Sequence, residues 1–353
     1  MIGLRGFLVL GLASLALGQC AKAPPQPAVL PVAPVKVGPE IGLVTTPVPL
    51  SSANPPPVAL GRFVYAGGVA ISSPDTTRLH GLSDLKFGPD GALVSVTDDG
   101  DLFEARLKLD DTGRLVGLTD GKLSPLKGLD GQPLQGKVQS DAEGLAFLAN
   151  GDRLVSFERD HRIWLYLRQS DGTYGLPRAV NKPATTFPDN EGMEALTAYP
   201  IAGPDAYLVG GEEGEVWLCK VSAPCASVTP QSPPDFTWGL TSFAAFEGQA
   251  VAALYRSFDP VRGWRGQVRF VVDPRAPAAK QVVAATLNLD GATTRDNFEG
   301  IALSRSPSGA TRLYILSDDN DTSFERTLLM AFDWTAPPPP PPAPVKKAPA
   351  RRR

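Results

Sequence analysis

Asp141-Ala142-Glu143-Gly144-Leu145-Ala146-Phe147, a turn through Asn150-Gly151-Asp152, then Arg153-Leu154-Val155-Ser156-Phe157-Glu158-Arg159-Asp160: two short apolar runs, broken by turn residues, with acids at their far ends. Runs of this length, rich in Val, Leu and Phe and lacking the i, i+3, i+4, i+7 spacing of an amphipathic helix, read as an antiparallel hairpin. The same unit recurs along the chain. Gly81-Leu82-Ser83-Asp84-Leu85-Lys86-Phe87 leads to Ala92-Leu93-Val94-Ser95-Val96-Thr97-Asp98-Asp99, and Glu194-Ala195-Leu196-Thr197-Ala198-Tyr199 leads to Ala206-Tyr207-Leu208-Val209-Gly210-Gly211-Glu212-Glu213. Gly239-Leu240-Thr241-Ser242-Phe243 precedes Val251-Ala252-Ala253-Leu254-Tyr255-Arg256, and Asn297-Phe298-Glu299-Gly300-Ile301-Ala302-Leu303 precedes Arg312-Leu313-Tyr314-Ile315-Leu316-Ser317-Asp318-Asp319.

Each hairpin is followed by one or two further strand-like runs, so the repeat predicts an all-β chain folded as a β-propeller, with four strands to a blade. Five blades are favoured and six remain compatible with the spacing. In the five-blade reading Arg62 to Ile71 supplies the strand missing after the fifth unit and closes the ring. A β-sandwich would not explain why similar hairpins return with acidic ends.

The ends of the chain read differently. Residues 1–19 carry one cation, Arg5, ahead of an apolar run from Gly6 to Leu17 that suits a signal peptide and is too short to span a bilayer. Leu17-Gly18-Gln19-Cys20 is similar to the lipobox of bacterial lipoproteins, departing from it at Gln19, so both lipidation of Cys20 with a membrane tether and ordinary cleavage stand as expectations. Either places the folded part outside the cytoplasm, in a periplasm or outer cell envelope. Residues 20–60, dense in proline, are expected to form an extended spacer rather than sheet. Residues 61–334 are the propeller. Residues 335–353 form a second proline-rich spacer ending in Lys346, Lys347, Arg351, Arg352 and Arg353, which are solvated or in contact with an anionic surface.

The formal charge is −3 for the whole chain and, with Arg5 removed, −4. No clustered basic excess is present to neutralise a nucleic-acid backbone, so nucleic acid is excluded as a partner. Cys219 and Cys225, five residues between them, are expected to form a disulfide, which an exported location preserves.

In a propeller the starts of the inner strands surround one mouth of a central channel. Ungapped comparison of the units puts Ser83, Glu143, Glu194, Thr241 and Glu299 at the same place, and antiparallel pairing puts the ends of the second strands beside them: Asp98, Glu158-Arg159, Glu212-Glu213, Arg256 and Ser317-Asp318. Crowded carboxylates repel unless a cation compensates. Ca²⁺, which takes carboxylate and carbonyl oxygens, is one solution, and pairing with Arg159 and Arg256 is the other. Both arginines also suit gripping a phosphate or carboxylate. His80 lies just before the first unit and is a candidate acid or base; His161 reads as a hairpin residue. No Gly-x-Ser-x-Gly elbow, His-Glu-x-x-His or phosphate loop occurs, and a Ser-His-Asp triad would have to draw on His80 or His161 with no serine standing out, so hydrolysis by an ion-activated water is favoured.

On these residues the chain resembles the phytase-like family described as esterase-like activity of phytase. The resemblance is carried by Gly81-Leu82-Ser83-Asp84-Leu85, Asp141-Ala142-Glu143-Gly144-Leu145-Ala146, Ser156-Phe157-Glu158-Arg159, Glu191-Gly192-Met193-Glu194-Ala195-Leu196, Asn297-Phe298-Glu299-Gly300-Ile301 and Leu316-Ser317-Asp318-Asp319-Asn320. It implies a relation to β-propeller phytases, which use Ca²⁺ on phosphate esters. Carried over by motif, Glu143, Glu194, Glu299 and Asp318 become mouth residues with Arg159 beside them; the expectation is that these four hold the metal, and that Arg159 acts with His80 and Arg256, which the residues themselves single out, as the catalytic set. Thr241 breaks the pattern in the fourth unit. The expectation is a cell-envelope, metal-dependent phosphoester or ester hydrolase with a small anionic substrate. The other reading is a non-catalytic envelope propeller that binds an anionic ligand or a partner protein.

Overall fold

The computed structural model describes residues 40–246 and 248–334. The signal-peptide and Cys20 expectations, and the cationic tail, lie outside the described residues. Strands β1 (Val44–Pro47), β2 (Ala59–Leu60) and β3 (Phe63–Ser72) come first. The chain then runs through β4 (Leu82–Phe87), β5 (Leu93–Thr97), β6 (Asp101–Leu109) and β7 (Leu115–Pro125), followed by one helical turn, α1 (Lys137–Ser140). Next are β8 (Ala142–Phe147), β9 (Arg153–Phe157), β10 (Arg162–Arg168) and β11 (Tyr174–Ala179), then β12 (Ala195–Ala198), β13 (Ala206–Gly210), β14 (Val216–Lys220) and β15 (Ala223–Ser227). Strands β16 (Trp238–Ala245), β17 (Val251–Asp259), β18 (Gly263–Val271) and β19 (Val283–Leu289) precede β20 (Asn297–Arg305), β21 (Thr311–Asp318) and β22 (Leu328–Trp334).

Hydrogen bonding sorts these into antiparallel fours: β4–β7, β8–β11, β12–β15, β16–β19, and β20–β22 completed by β3. The last group joins the two ends of the fold, with Leu328 opposite Ala70 and Trp334 opposite Phe63. A single parallel pair, Gly67 with Leu115, links β3 to β7. The inner strands touch in ring order, β4 to β8 to β12 to β16 to β20 and back to β4. This is a β-propeller, closed by the Phe63–Ser72 strand as the sequence leads one to expect.

The core lies between neighbouring groups rather than within any one of them. Val94, Val96 and Leu102 pack against Val155, Phe157 and Trp164, while Leu254, Val268 and Phe270 pack against Ile301, Leu313 and Phe332. Strands β5, β9 and β13 are buried at every position, which is why they read as continuous apolar runs. Each fully buried Leu, Val or Phe contributes roughly 1.5–3 kcal/mol, so the stability of each group depends on its two neighbours. Cys219 and Cys225 form a disulfide across β14 and β15.

One expectation is corrected. The proline-rich stretch does not remain a spacer through residue 60. From Val44 it pairs antiparallel with β3, Val44 opposite Ser72 and Pro47 opposite Val69, and Leu50 is buried among Phe63, Phe270 and Trp334. The prolines permit this because β1 is an edge strand, where a missing N–H interrupts no ladder.

Candidate functional site

The repeat-equivalent acids are brought together by a shared irregularity. Register slips between Ala142 and Gly144 in β8, between Leu240 and Ser242 in β16, and between Phe298 and Gly300 in β20. The residues caught in these slips are Glu143, Thr241 and Glu299. A bulge of this kind breaks the in-out alternation and re-aims one side chain, and here it does so at the same level of the ring in three inner strands. In β4 the slip spans Asp84 and Leu85, and in the third group Glu194 stands immediately before β12.

The glycine after each bulged glutamate has a steric cause. A Cβ on Gly144 would come within 2.3 Å of Ser156 Oγ and 2.7 Å of Leu196 Cβ, and one on Gly300 within 2.7 Å of the Asp84 carbonyl carbon. The Glu-Gly pairs seen in the sequence are thus one residue aimed at the channel and one that lets adjacent inner strands approach.

At the mouth the tightest group of carboxylates is Asp98, Asp141 and Glu143, each with a ligand oxygen within 4.8 Å of the others'. Asp98 follows β5, Asp141 precedes β8, and Ser140 Oγ donates to Asp98 O at 3.0 Å, so the two neighbouring groups meet here. Lys137, on α1, sends its ammonium between the two aspartates, 2.6 Å from Asp98 Oδ2 and 2.5 Å from Asp141 Oδ1. Arg159, held at φ 56, donates from Nε to Asp141 Oδ2 at 2.7 Å and from its guanidinium to Asn190 Oδ1 at 2.8 Å.

Glu299 forms the second half of the mouth. It accepts from Ser83 Oγ at 3.0 Å and Asn297 Nδ2 at 2.8 Å, and Arg256 Nε stands 3.2 Å away. Arg256 also reaches Glu212, at 3.7 Å. Asp318 is tied to Asn297 and accepts the Asn320 amide at 2.8 Å. The side chains of Glu143, Glu194 and Glu158 make no hydrogen bond or ion pair with a described residue.

Burial and mutual repulsion raise the acids together. The Glu143 and Glu194 carboxyls are pushed well above the usual carboxylate range, by desolvation first and by neighbouring carboxylates second. Desolvation, with the charge of Asp141 behind it, lifts Glu158 to about 7, and desolvation with Glu299 lifts Asp318 to about 9. Glu299 also rises through burial, restrained by Arg256. Lys137 and Arg256 sit above their ordinary values because surrounding carboxylates outweigh their burial.

Of Glu143, Glu194, Glu299 and Asp318, expected as one metal-facing set, only Glu143 belongs to the tight trio; Glu299 is within electrostatic reach of the other three. Glu299 and Asp318 are engaged by arginine and asparagine. Asp141, Lys137 and Asp98 complete the trio's surroundings. Asp141 sits two residues before Glu143 in the repeated motif, a spacing visible in the sequence, whereas Lys137 lies on a turn with no repeat to mark it. His80 is held at the rim, with Nε2 3.4 Å from Asp99 Oδ2. His161 Nε2 lies 2.9 Å from Pro188 O and its ring packs on Phe187, which fastens the β9–β10 turn to the 187–188 loop.

Fold and site together define a β-propeller whose central mouth is lined by carboxylates drawn from successive units. The chain belongs to the phytase-like family described as esterase-like activity of phytase, which matches residues 77–321. Among solved structures it is similar to a calcium structure of a carbohydrate-active enzyme of family AA12 from Trichoderma reesei, with 12% identity over 79% of this chain and 97% of that one, and a TM-score of 0.43. Virginiamycin B lyase from Staphylococcus aureus shares 10% identity over 83% of this chain and 100% of its own, with a TM-score of 0.41. No curated protein matches by sequence.

Proposed function

We propose that the chain is a divalent-cation-dependent ester hydrolase of the cell envelope, acting on phosphoesters, with Ca²⁺ as its ion. The observation that carries this reading is the convergence of Asp98, Asp141 and Glu143, three hard oxygen donors, at the mouth of the propeller. The donor chemistry fits: carboxylate oxygens suit Ca²⁺, and Glu143 has no donor among the described residues to satisfy it. Asp98, Asp141 and Glu143 would hold the ion. When bound, it supplies Lewis-acid polarisation of the ester oxygen and acidifies water.

The remaining work falls to the protein's own groups. Glu158, with a carboxyl near 7, is matched to taking a proton from an attacking water at neutral pH. Glu194 holds its proton above the usual range and can give it to the leaving oxygen. Arg159, fixed by Asp141 and Asn190, is the cation beside the trio that would meet charge growing on the ester oxygens. An envelope location is supported by the apolar N-terminal run and by the Cys219–Cys225 disulfide.

Binding of an anion without a cation is the weaker reading. Arg159 and Arg256 are both already paired with carboxylates, and the acids at the mouth outnumber the bases. The test is turnover of phosphomonoesters, phosphodiesters and carboxylic esters by the full chain, with Ca²⁺ or with chelator, beside Asp141→Asn and Glu143→Gln. Ion-dependent turnover lost in both variants is expected. Turnover indifferent to chelation, or none on any ester, would overturn the proposal.

A further inference from the structure

A second concave site lies between the first two groups of strands, at the hairpin ends remote from Asp98. It is a cavity of about 680 Å³ bounded by the β4–β5 turn, strands β6 and β7, and the β10–β11 turn. Its floor holds Arg153, only 7% exposed, whose guanidinium is stacked between two rings, 4.2 Å from the Tyr174 centroid and 4.9 Å from that of Tyr166. The stacking fixes the guanidinium plane and leaves its N–H edges as the groups in need of partners. The Arg153 side chain makes no hydrogen bond or ion pair with a described residue, and its Nε is fully buried. Burial pulls this guanidinium below its ordinary value.

The lining explains what would complete it. Lys122, Lys127 and Arg168 stand around Arg153 on exposed positions. Of the three acids in the wall, Asp90 is taken by Arg106 at 2.6 Å and Asp171 by Thr173 at 2.9 Å. Glu104 is left, opposite Lys122 in the β6–β7 ladder; its charge acts on Arg153 from a distance without forming an ion pair with it. A buried guanidinium with two aromatic faces and open edges matches a planar or tetrahedral oxyanion approaching edge-on. Cation–π stacking alone compensates only part of the desolvation of a buried charge.

We infer that this cavity is a binding site for a small molecule carrying an oxyanion, a carboxylate or a phosphate, gripped by Arg153 and surrounded by Lys122, Lys127 and Arg168. The site is separate from the acidic mouth and independent of the hydrolase reading. A cavity of this size accommodates a metabolite rather than a single ion.

Isothermal titration of the full chain with inorganic phosphate and with citrate tests it. Saturable binding of either probe is expected, weakened roughly tenfold or more in Arg153→Met, as loss of a charge-assisted hydrogen bond requires. The probe that binds identifies the oxyanion class. Asp141→Asn, at the mouth, should leave the titration unchanged. Lys127→Ala/Arg168→Ala, which alters exposed residues only, should weaken it and serves if Arg153→Met does not fold. No saturation with either probe, unchanged binding in both the Arg153 and the double variant, or loss of binding in Asp141→Asn would overturn the inference.

Discussion

Lys137 Nζ stands 2.6 Å from Asp98 Oδ2, so an ammonium occupies the space between the two aspartates of the candidate cation site. A divalent ion needs the same oxygens, and Lys137 must move aside for it to bind. Lys137→Met is therefore expected to tighten Ca²⁺ binding by roughly tenfold, about 1.4 kcal/mol, measured by calorimetric titration. Unchanged or weaker affinity would place the ion elsewhere than Asp98, Asp141 and Glu143.

The crowded carboxyls set a pH dependence of stability. A carboxyl whose pKa is raised by folding does not oppose folding below its unfolded value of about 4, and stability is lost as pH rises toward its folded value. Glu158 reaches about 7 and Asp318 about 9, so the loss spans that whole window. Lys137 and Arg256, held above their ordinary values, stay charged throughout it. With chelator present, the melting temperature is expected to fall steadily from about pH 5 to about pH 9. Saturating Ca²⁺ should flatten the slope. A flat profile in chelator would mean that folding does not raise these carboxyls.

Asp84 is the tie at the centre of the ring. Its Oδ2 accepts the Leu145 amide at 2.7 Å, and its Oδ1 accepts the Leu85 amide at 2.7 Å together with the Lys86 ammonium and the Ser242 hydroxyl. Asp84→Ala leaves Lys86 buried without its carboxylate partner, and is expected to cost about 3–5 kcal/mol in urea unfolding. Asp84→Asn/Lys86→Met removes both charges, and asparagine tolerates the left-handed φ of 54 at this position. The double variant should therefore recover most of the loss. Equal destabilisation by the two would argue against the ion pair as the cause.

Gly144→Ala places a methyl against Ser156 and Leu196, between the inner strands that carry Glu143 and Glu194. Overpacking of this kind costs about 1–3 kcal/mol and displaces both acids. The expected outcome is a folded chain with weakened Ca²⁺ binding. Full binding with full stability would show that the close approach is not what positions them.

Much of this fold was legible in the chain itself. Apolar runs of strand length, turns between them and recurrence of one hairpin are local properties, and they define an all-β propeller with Phe63–Ser72 as its closing strand. The recurrence of Glu143, Glu194 and Glu299 is likewise visible in the sequence; the structure sets Glu143 and Glu299 in matching bulges and Glu194 just before its strand. The role of residues 44–60 was not, because proline count says where a donor is missing and not whether an edge strand can do without it.

What only the tertiary structure decided is which charges become neighbours. The repeat marks no special place for Lys137, yet a single turn between groups carries its ammonium to Asp98, 39 residues away in sequence. Arg256 and Glu299 likewise meet across two groups, and Arg153, which opens the second strand of the repeated hairpin, lies between two tyrosines brought to it by β10 and β11. Periodicity is fixed by the backbone's own geometry and can be read along the chain. Pairing of charges depends on distances across it, which exist only once the ring has closed.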